Sequence, residues 1–199
     1  MTYLTGSKTP QAIKAMSLIG EHNDQIERIR QDRNLTPEGK TRRIAAVHLR
    51  YRRQVTQLEA EDKASRASQA DSLRRSLFGL YGTDPNSLIS YRDAQDRAGS
   101  IDSEDKALDL LDRADLSNDE ILAKAIVGRA AEIGWNSVVR TYTAKHPYYG
   151  EKLQELAQLG QDETSVEAIM NHAMSYSLPA PAEVARYSEG MIEQLAAGA

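Results

Sequence analysis

Apolar side chains in the first third of the chain recur every three or four residues, the spacing of a seam between two helices. In the first segment the seam positions are Ala12, Ala15, Ile19, His22, Ile26 and Ile29. In the second segment they are Ile44, Val47, Tyr51, Val55 and Leu58. The turn sequence NLTPEG separates the segments, and reflection about it gives three opposed pairs: Ile29 with Ile44, Ile26 with Val47, and His22 with Tyr51. The pattern predicts a long antiparallel, coiled-coil-like helical hairpin.

Helix start signals recur along the chain, whereas the alternating runs typical of β-strands are absent. A capping residue precedes a proline suited to the first helical position at Thr9-Pro10, Thr36-Pro37 and Asp84-Pro85. Two further starts fit the reciprocal capping box, Ser117 with Glu120 and Thr164 with Glu167. Helix ends are expected at three glycines, Gly82, Gly134 and Gly160.

These signals predict an all-α fold. The expected helices span 10–33, 37–81, 85–98, 103–114, 118–133, 135–145, 148–159, 165–177 and 182–196. We divide the chain into a helical hairpin with a long second helix (1–82), a bundle of short helices (83–178), and a linker with a C-terminal docking helix (179–199).

The second helix of the predicted hairpin is longer than the first by about 30 Å, at about 1.5 Å per residue. The inner seam of this overhang is expected at Ala60, Ala64, Ala67, Leu73, Leu77 and Leu80. Alanines allow a neighbouring helix to approach closely, and the three leucines need cover. That cover must come from the C-terminal helices or from another subunit, so Leu73, Leu77 and Leu80 are candidate interaction residues.

The most apolar part of the C-terminal half runs from Ile121 to Tyr142 and predicts the core of the short-helix bundle. Trp135 follows the helix stop at Gly134 directly, and we interpret it as a core side chain of this bundle. The last helix carries four apolar residues on one side, Val184, Met191, Ile192 and Leu195. It is expected to dock on the bundle or on a neighbouring molecule.

Composition narrows the class of protein. The 199 residues include one Phe and one Trp but no cysteine. The absence of cysteine excludes a disulfide framework and any thiolate chemistry. No apolar run is long enough for a transmembrane helix, and the N-terminus does not resemble a signal peptide. We therefore expect a soluble protein of the cytoplasm. Charge divides unevenly: residues 1–82 carry 15 basic and 9 acidic side chains, and residues 83–199 carry 10 and 20.

The basic side chains include a stripe on the second helix, opposite its apolar seam. Arg42, Arg43, Arg50 and Arg53 fall within an arc of about 100°, taking 100° per residue. Exposed helix faces usually mix charges of both signs, but this stretch contains no acid. Three interpretations stay open: a solvated helix face, a contact for an acidic protein surface, or a contact for nucleic acid. No aromatic side chain lies among the arginines to stack on a base.

The sequence contains none of the motifs that mark phosphate loops, dinucleotide sites, zinc proteases or serine hydrolases. The histidines lack the Glu-x-x-His spacing of carboxylate-bridged metal bundles. We expect His22 to be a buried ring hydrogen-bonded to Tyr51, and His172 to be half-buried. The acidic run 102–120 lacks the glycine and glutamate positions of a calcium loop and is interpreted as a solvated helix face. We predict no catalytic residue, no metal site and no cofactor.

Two stretches carry a resemblance. LTPEGKTRRIAAVHLRYR and ILAKAIVGRAAEIGWNSVVRTYTAKHPYYGEKLQELAQL resemble segments of small helical proteins encoded in the structural gene blocks of tailed phages and prophages of actinobacteria. The second stretch has an Ala-rich helix, Gly-Trp, Val-Val and Tyr, then a His-Pro break and a Leu-rich helix. The resemblance implies a virion component or an assembly factor and assigns no functional residue.

We therefore predict a non-enzymatic structural or assembly protein that acts through helix packing and charge complementarity. We expect its partner to be another protein or a second copy of the chain, and we expect no small-molecule substrate. The opposed charges of the arginine stripe and of residues 102–120 predict association that depends on salt. The alternative is a nucleic-acid-binding accessory protein that uses the stripe from Arg42 to Arg53.

Overall fold

The computed structural model describes residues 9–79 and 85–199, without the side chains of 161–164. Every regular element in these ranges is an α-helix, which confirms the all-α prediction. The described helices are α1 (Pro10–Gln31), α2 (Pro37–Phe78), α3 (Pro85–Gly99), α4 (Glu104–Leu116), α5 (Glu120–Ile133), α6 (Asn136–Lys145), α7 (Pro147–Thr164), α8 (Val166–Tyr176) and α9 (Glu189–Ala197).

Several predicted helix boundaries are confirmed by their capping contacts. The Thr9 hydroxyl accepts a hydrogen bond from the amide of Ala12, and the Thr36 hydroxyl accepts one from the amide of Gly39. Each side chain satisfies an amide that the first helical turn leaves without a backbone partner. Gly134 ends α5 in the left-handed region, with φ of 83°, where a residue without a Cβ is favoured.

Other predicted boundaries are wrong for local reasons. Ser117 belongs to the end of α4, because its hydroxyl donates to the carbonyls of Arg113 and Ala114, and Asp119 caps α5 instead. Ser165, not Thr164, caps α8. Gly160 lies inside α7, and a glycine within a helix costs only about 1 kcal/mol. The predicted cap at Asp84 and stop at Gly82 lie outside the described residues.

The chain folds into two compact units that are not both contiguous in sequence. The hairpin unit comprises residues 1–67 and 161–199, and the bundle unit comprises residues 68–160. These divisions differ from the sequence-based ones after residues 82 and 178, because α2 contributes to both units and the chain returns to the hairpin through α8 and α9.

In the hairpin unit α1 packs against α2, and of the three predicted pairs the contact between His22 and Tyr51 is confirmed. The rings of His22 and Tyr51 meet edge-on with centroids 5.7 Å apart, and Gln25 donates to the Tyr51 hydroxyl at 2.8 Å. Ile26 and Ile44 belong to one apolar cluster. Val184 and Ile192 complete this cluster, so the C-terminal segment docks on the hairpin. Its helix α9 begins at Glu189, not at residue 182 as predicted, and Met191 is exposed.

Further along the hairpin, α8 packs against α1 and the seam continues differently from the prediction. Tyr176 joins Ala12, Ala15, Val55 and Leu58 in a second apolar cluster. The next buried position of α2 is Asp62, whereas Ala60, Ala64 and Ala67 are exposed. The predicted alanine seam is therefore wrong: Ala60 follows Leu58 by two residues, about 200° around the helix at 100° per residue, so the alanines lie on the side of α2 opposite the seam.

The bundle unit has its core around α5, whose side chains contact those of α3, α4 and α6. Leu77 lies in this core with an exposed fraction of 2%, and Leu73 is also buried. The chain itself thus covers these two leucines of the overhang, while Leu80 lies outside the described residues. Trp135 is half-buried and packs against the same core, as its interpretation as a core side chain requires.

The hairpin register predicts the effect of one buried charge. Ile26→Asp should lower the free energy of unfolding by about 4 kcal/mol, because it buries an unpaired carboxylate at a position that is 2% exposed. Ile13→Asp on the same helix is the matched control, since Ile13 is 58% exposed and should cost less than about 0.5 kcal/mol. Urea unfolding followed by circular dichroism measures both, and equal stabilities would contradict the register.

Candidate functional site

The arginine stripe is partly engaged by neighbouring polar groups. Arg50 donates to the side-chain carbonyl of Gln25 at 2.7 Å, and its guanidinium lies over the Tyr51 ring at 5.1 Å. Arg42 donates to the carbonyl of Gly198 at 3.4 Å. Arg43 is exposed and has no ion pair within the described ranges. A role of these arginines toward an external partner stays a prediction.

Acidic residues of the C-terminal segment face these arginines and their neighbours. Arg53 lies 3.9 Å from a carboxylate oxygen of Glu193, and Arg52 pairs with Glu189. At the end of α1, Arg30 donates to both carboxylate oxygens of Glu183, at 2.8 and 2.9 Å. These hydrogen bonds lower the pKa of Glu183 below its ordinary value. The acids that meet the basic face are thus those of residues 183–193.

The acidic residues of the predicted complementary surface, 102–120, have local roles in the bundle unit. Asp102 pairs with Lys106 at 2.8 Å, and Asp115 pairs with Lys145 at 2.5 Å. Glu104 accepts from the amide of Ser137 at 2.7 Å and so caps α6 from a neighbouring helix. The sequence does not predict this cap, because the capping carboxylate lies 33 residues away from the amide that it accepts from. These carboxylates fix helix ends and helix pairs.

Two buried histidines form a pair inside the hairpin seam. His22 and His48 are each 2% exposed, and Nδ1 of His48 lies 3.4 Å from Nε2 of His22. Nδ1 of His22 lies 3.1 Å from Oδ1 of Asn23. The expected hydrogen bond from His22 to the Tyr51 hydroxyl is wrong, because the two ring nitrogens of His22 lie against Asn23 and His48 instead. Sequence reasoning missed His48, although it lies four residues after Ile44 and three before Tyr51, which is the seam spacing.

Burial keeps both histidine rings neutral, and the hydrogen-bond partners decide which ring nitrogen carries the proton. Desolvation lowers the pKa of both rings, and for His48 to about 4, with the charges of His22 and Arg52 adding to the effect. When Nδ1 of His22 donates to Asn23, its Nε2 is left to accept from Nδ1 of His48. Protonation of either ring would remove an acceptor and bury a charge. The neutral pair is therefore a structural element of the seam.

A cavity of about 530 Å³ with several charged side chains in its wall lies between α2 and α8. Asp62 is 1% exposed and accepts from Arg66 at 3.0 Å, while Glu59 lies 3.0 Å from Nε2 of His172. Lys63 lines the same cavity. His172 is half-buried, as expected. Among the described residues no three His, Cys, Asp or Glu side chains form a group that could hold a metal ion.

Helix α8 exposes its apolar side chains, whereas an ordinary surface helix buries them. Its large exposed side chains are apolar: Val166, Ile169, Met170 and Met174, at 74, 53, 47 and 52% exposure. With Ala173 they cover an arc of about 140°, taking 100° per residue, which we call the α8 outer face. The side of α8 turned inward carries Ser175, which is fully buried, and Tyr176, whose hydroxyl is buried without a hydrogen bond.

No described helix is both long and apolar enough to cross a bilayer. Comparisons with protein-family models, with curated proteins and with solved structures found no match. Function must therefore be argued from the residues, and the α8 outer face is the feature that local structure leaves unexplained. Apolar patches of this kind mark contacts with other molecules.

The histidine pair predicts acid sensitivity. Because the pKa of His48 is depressed from 6.5 to about 4, its stabilisation is fully present above pH 6.5 and is lost as the pH falls toward 4. The shift corresponds to about 3 kcal/mol. His48→Gln should flatten the loss of unfolding free energy between pH 7 and 4.5, whereas exposed His146→Gln should leave it unchanged. Urea titrations at several pH values check this, and parallel profiles for wild type and His48→Gln would contradict it.

Proposed function

We propose that the protein is a non-enzymatic helical assembly protein that associates with a second copy of itself through the α8 outer face. The observation that supports this most directly is the inverted amphipathicity of α8, which buries Ser175 and exposes Ile169 and Met170. An isolated globular helix would place its large apolar side chains inward. Burying them between two molecules removes the cost of leaving them in water.

The apolar surface extends beyond α8 onto α2. Ala60 and Ile169 line the same cavity, and Ala60, Ala64 and Ala67 are exposed on one side of α2 within about 60°. Alanines permit close approach of a neighbouring backbone, while methionines adapt to the shape of a partner. Specific interfaces bury about 800 Å² per partner. An 11-residue helix alone is short for that area, so the alanine side of α2 is included in the proposed interface.

A second copy is the occupant that the charge of this surface favours. The titratable residues of α8 are Glu167 and His172, and both lie at or beyond the edges of the apolar arc. His172 is already paired with Glu59 of the same chain. The arc of the α8 outer face itself carries no charge, so it does not repel its own copy across a two-fold axis.

The specific form of the proposal is a phage virion component or a capsid or tail assembly factor. It rests on the resemblance of residues 35–52 and 121–159 to helical proteins of phage structural gene blocks. Gene order tests it: capsid, portal and tail genes beside the coding sequence would support it, and a metabolic operon would contradict it.

The alternative, nucleic-acid binding by the arginine stripe, has less support. Nucleic-acid binding needs cationic side chains that are free to neutralise phosphates and so displace the counterions held by the nucleic acid. Arg42, Arg50 and Arg53 instead have partners in Gly198, Gln25 and Glu193. This alternative would be restored if the protein shifted nonspecific DNA in a gel at low salt and the Arg43→Glu variant did not.

Self-association predicts a selective loss in one variant. Ile169→Glu with Met170→Glu should weaken association at least tenfold, because four carboxylates would enter a symmetric interface, and it should leave helicity unchanged. Leu116→Glu is the matched control, since Leu116 is 83% exposed but lies on α4.

Sedimentation equilibrium measures the association constants, and circular dichroism measures helicity. Equal weakening by the control would contradict the assignment to the α8 outer face. A wild type that is monomeric at all concentrations would overturn self-association and leave a partner of different sequence as the occupant.

A further inference from the structure

Four of the five methionines lie within the described residues, and solvent reaches all four to a similar extent. Met16 of α1 and Met191 of α9 are 39 and 45% exposed. Met170 and Met174 of α8 are 47 and 52% exposed. Because the chain contains no cysteine, methionine supplies all of its sulfur. Accessible thioethers are common sites of oxidation to the sulfoxide.

Met170 and Met174 differ from the other two because they belong to the α8 outer face. They are four residues apart, so their side chains are neighbours on one side of the helix. Taking 100° per residue, Met170 lies about 30° and Met174 about 70° from the middle of the apolar arc. Two of the four large side chains of the face are therefore thioethers.

Oxidation would change the chemistry of this face. A sulfoxide replaces a flexible apolar thioether by a polar S=O group that accepts hydrogen bonds. The α8 outer face offers no donor to that oxygen, because its side chains are all hydrocarbon or thioether groups. Burying an acceptor without a partner is unfavourable. A two-fold contact between copies would contain both methionines of each copy, so full oxidation would bring four unpaired acceptors into it.

We propose that Met170 and Met174 form a reversible oxidation site that controls self-association: the thioether form associates, and the sulfoxide form does so only weakly. This inference rests on the proposed function, since it describes the regulation of the same surface. The oxidant is a peroxide.

The chemical step transfers one oxygen atom. A lone pair of the methionine sulfur attacks one peroxide oxygen, and the O–O bond breaks. That oxygen stays on the sulfur, and the other leaves as water after proton transfer when the peroxide is hydrogen peroxide. The sulfur loses two electrons and the peroxide gains them. Methionine sulfoxide reductases, one for each sulfoxide epimer, reverse the change.

The test is sedimentation equilibrium of the full chain before and after treatment with hydrogen peroxide, with peptide mass spectrometry to locate the sulfoxides. Sulfoxides at Met170 and Met174 should weaken association at least tenfold, because the new acceptors have no partners in the interface. Treatment with both reductases should restore the original association constant. Unchanged association of a chain oxidised at both positions would overturn this inference alone. A wild type that is monomeric before treatment would overturn the proposed function together with it.

Variants assign the effect to these two residues. Met170→Leu with Met174→Leu keeps the face apolar at similar volume, so it should associate within about twofold of wild type. Peroxide should leave its association unchanged. Met191→Leu is the matched control, because Met191 is similarly exposed but lies on α9, and this variant should stay as sensitive as wild type. Equal loss in the double leucine variant and in wild type would overturn the assignment, as would loss of helicity by circular dichroism at the same peroxide dose.

Association should in turn protect the two thioethers from peroxide. At protein concentrations well above the dissociation constant, a second copy covers Met170 and Met174 but leaves Met191 open. The rates of sulfoxide formation at Met170 and Met174 should therefore be at least threefold lower than in dilute solution, and the rate at Met191 should not change. Rates at Met170 and Met174 that do not depend on concentration in an associating protein would overturn the inference.

Discussion

The seam between α1 and α2 is the contact on which the hairpin unit depends. Ala12 and Ala15 have no exposed surface, and they pack with Tyr176 of α8 in one apolar cluster at this end of the hairpin. His22 and His48 lie in the middle of the seam. At the other end Ile26 and Ile44 pack with Val184 and Ile192 of the C-terminal segment.

The sequence predicts what depends on periodicity and local caps. The heptad-like spacing of both segments gives the hairpin and the contact of His22 with Tyr51, and Gly134 marks a true helix end. It does not predict the features that depend on residues far away in the sequence or on which neighbour a side chain meets in the fold. Asp62 looks like an exposed acid, yet it is buried in line with the seam and paired with Arg66. Ser117 resembles the first residue of a helix, because a serine hydroxyl can accept from the free amides at a helix start. In the structure it donates instead to a free carbonyl at the end of α4.

The candidate surfaces were harder to predict than the fold for a related reason. Charge counting identified the arginine stripe but assigned its acidic complement to 102–120. Glu193, which lies near Arg53 of the stripe, and Glu189, which pairs with the neighbouring Arg52, belong to a helix of nine residues that is too short to stand out by charge. The apolar outer face of α8 follows from its sequence, but a hydrophobic stripe by itself predicts burial. Only the position of Ser175 and Tyr176 toward α1 shows that the apolar side faces outward.

The discontinuity of the hairpin unit bears on the order in which the chain acquires structure during synthesis. Residues 68–160 form one uninterrupted unit, whereas residues 1–67 await residues 161–199. At about 5–20 residues per second, the ribosome adds those intervening 93 residues over several seconds. Throughout that interval Ile26 and Ile44 lack the cover of Val184 and Ile192. During synthesis the hairpin therefore exposes part of its apolar seam to water until Val184 and Ile192 have been added.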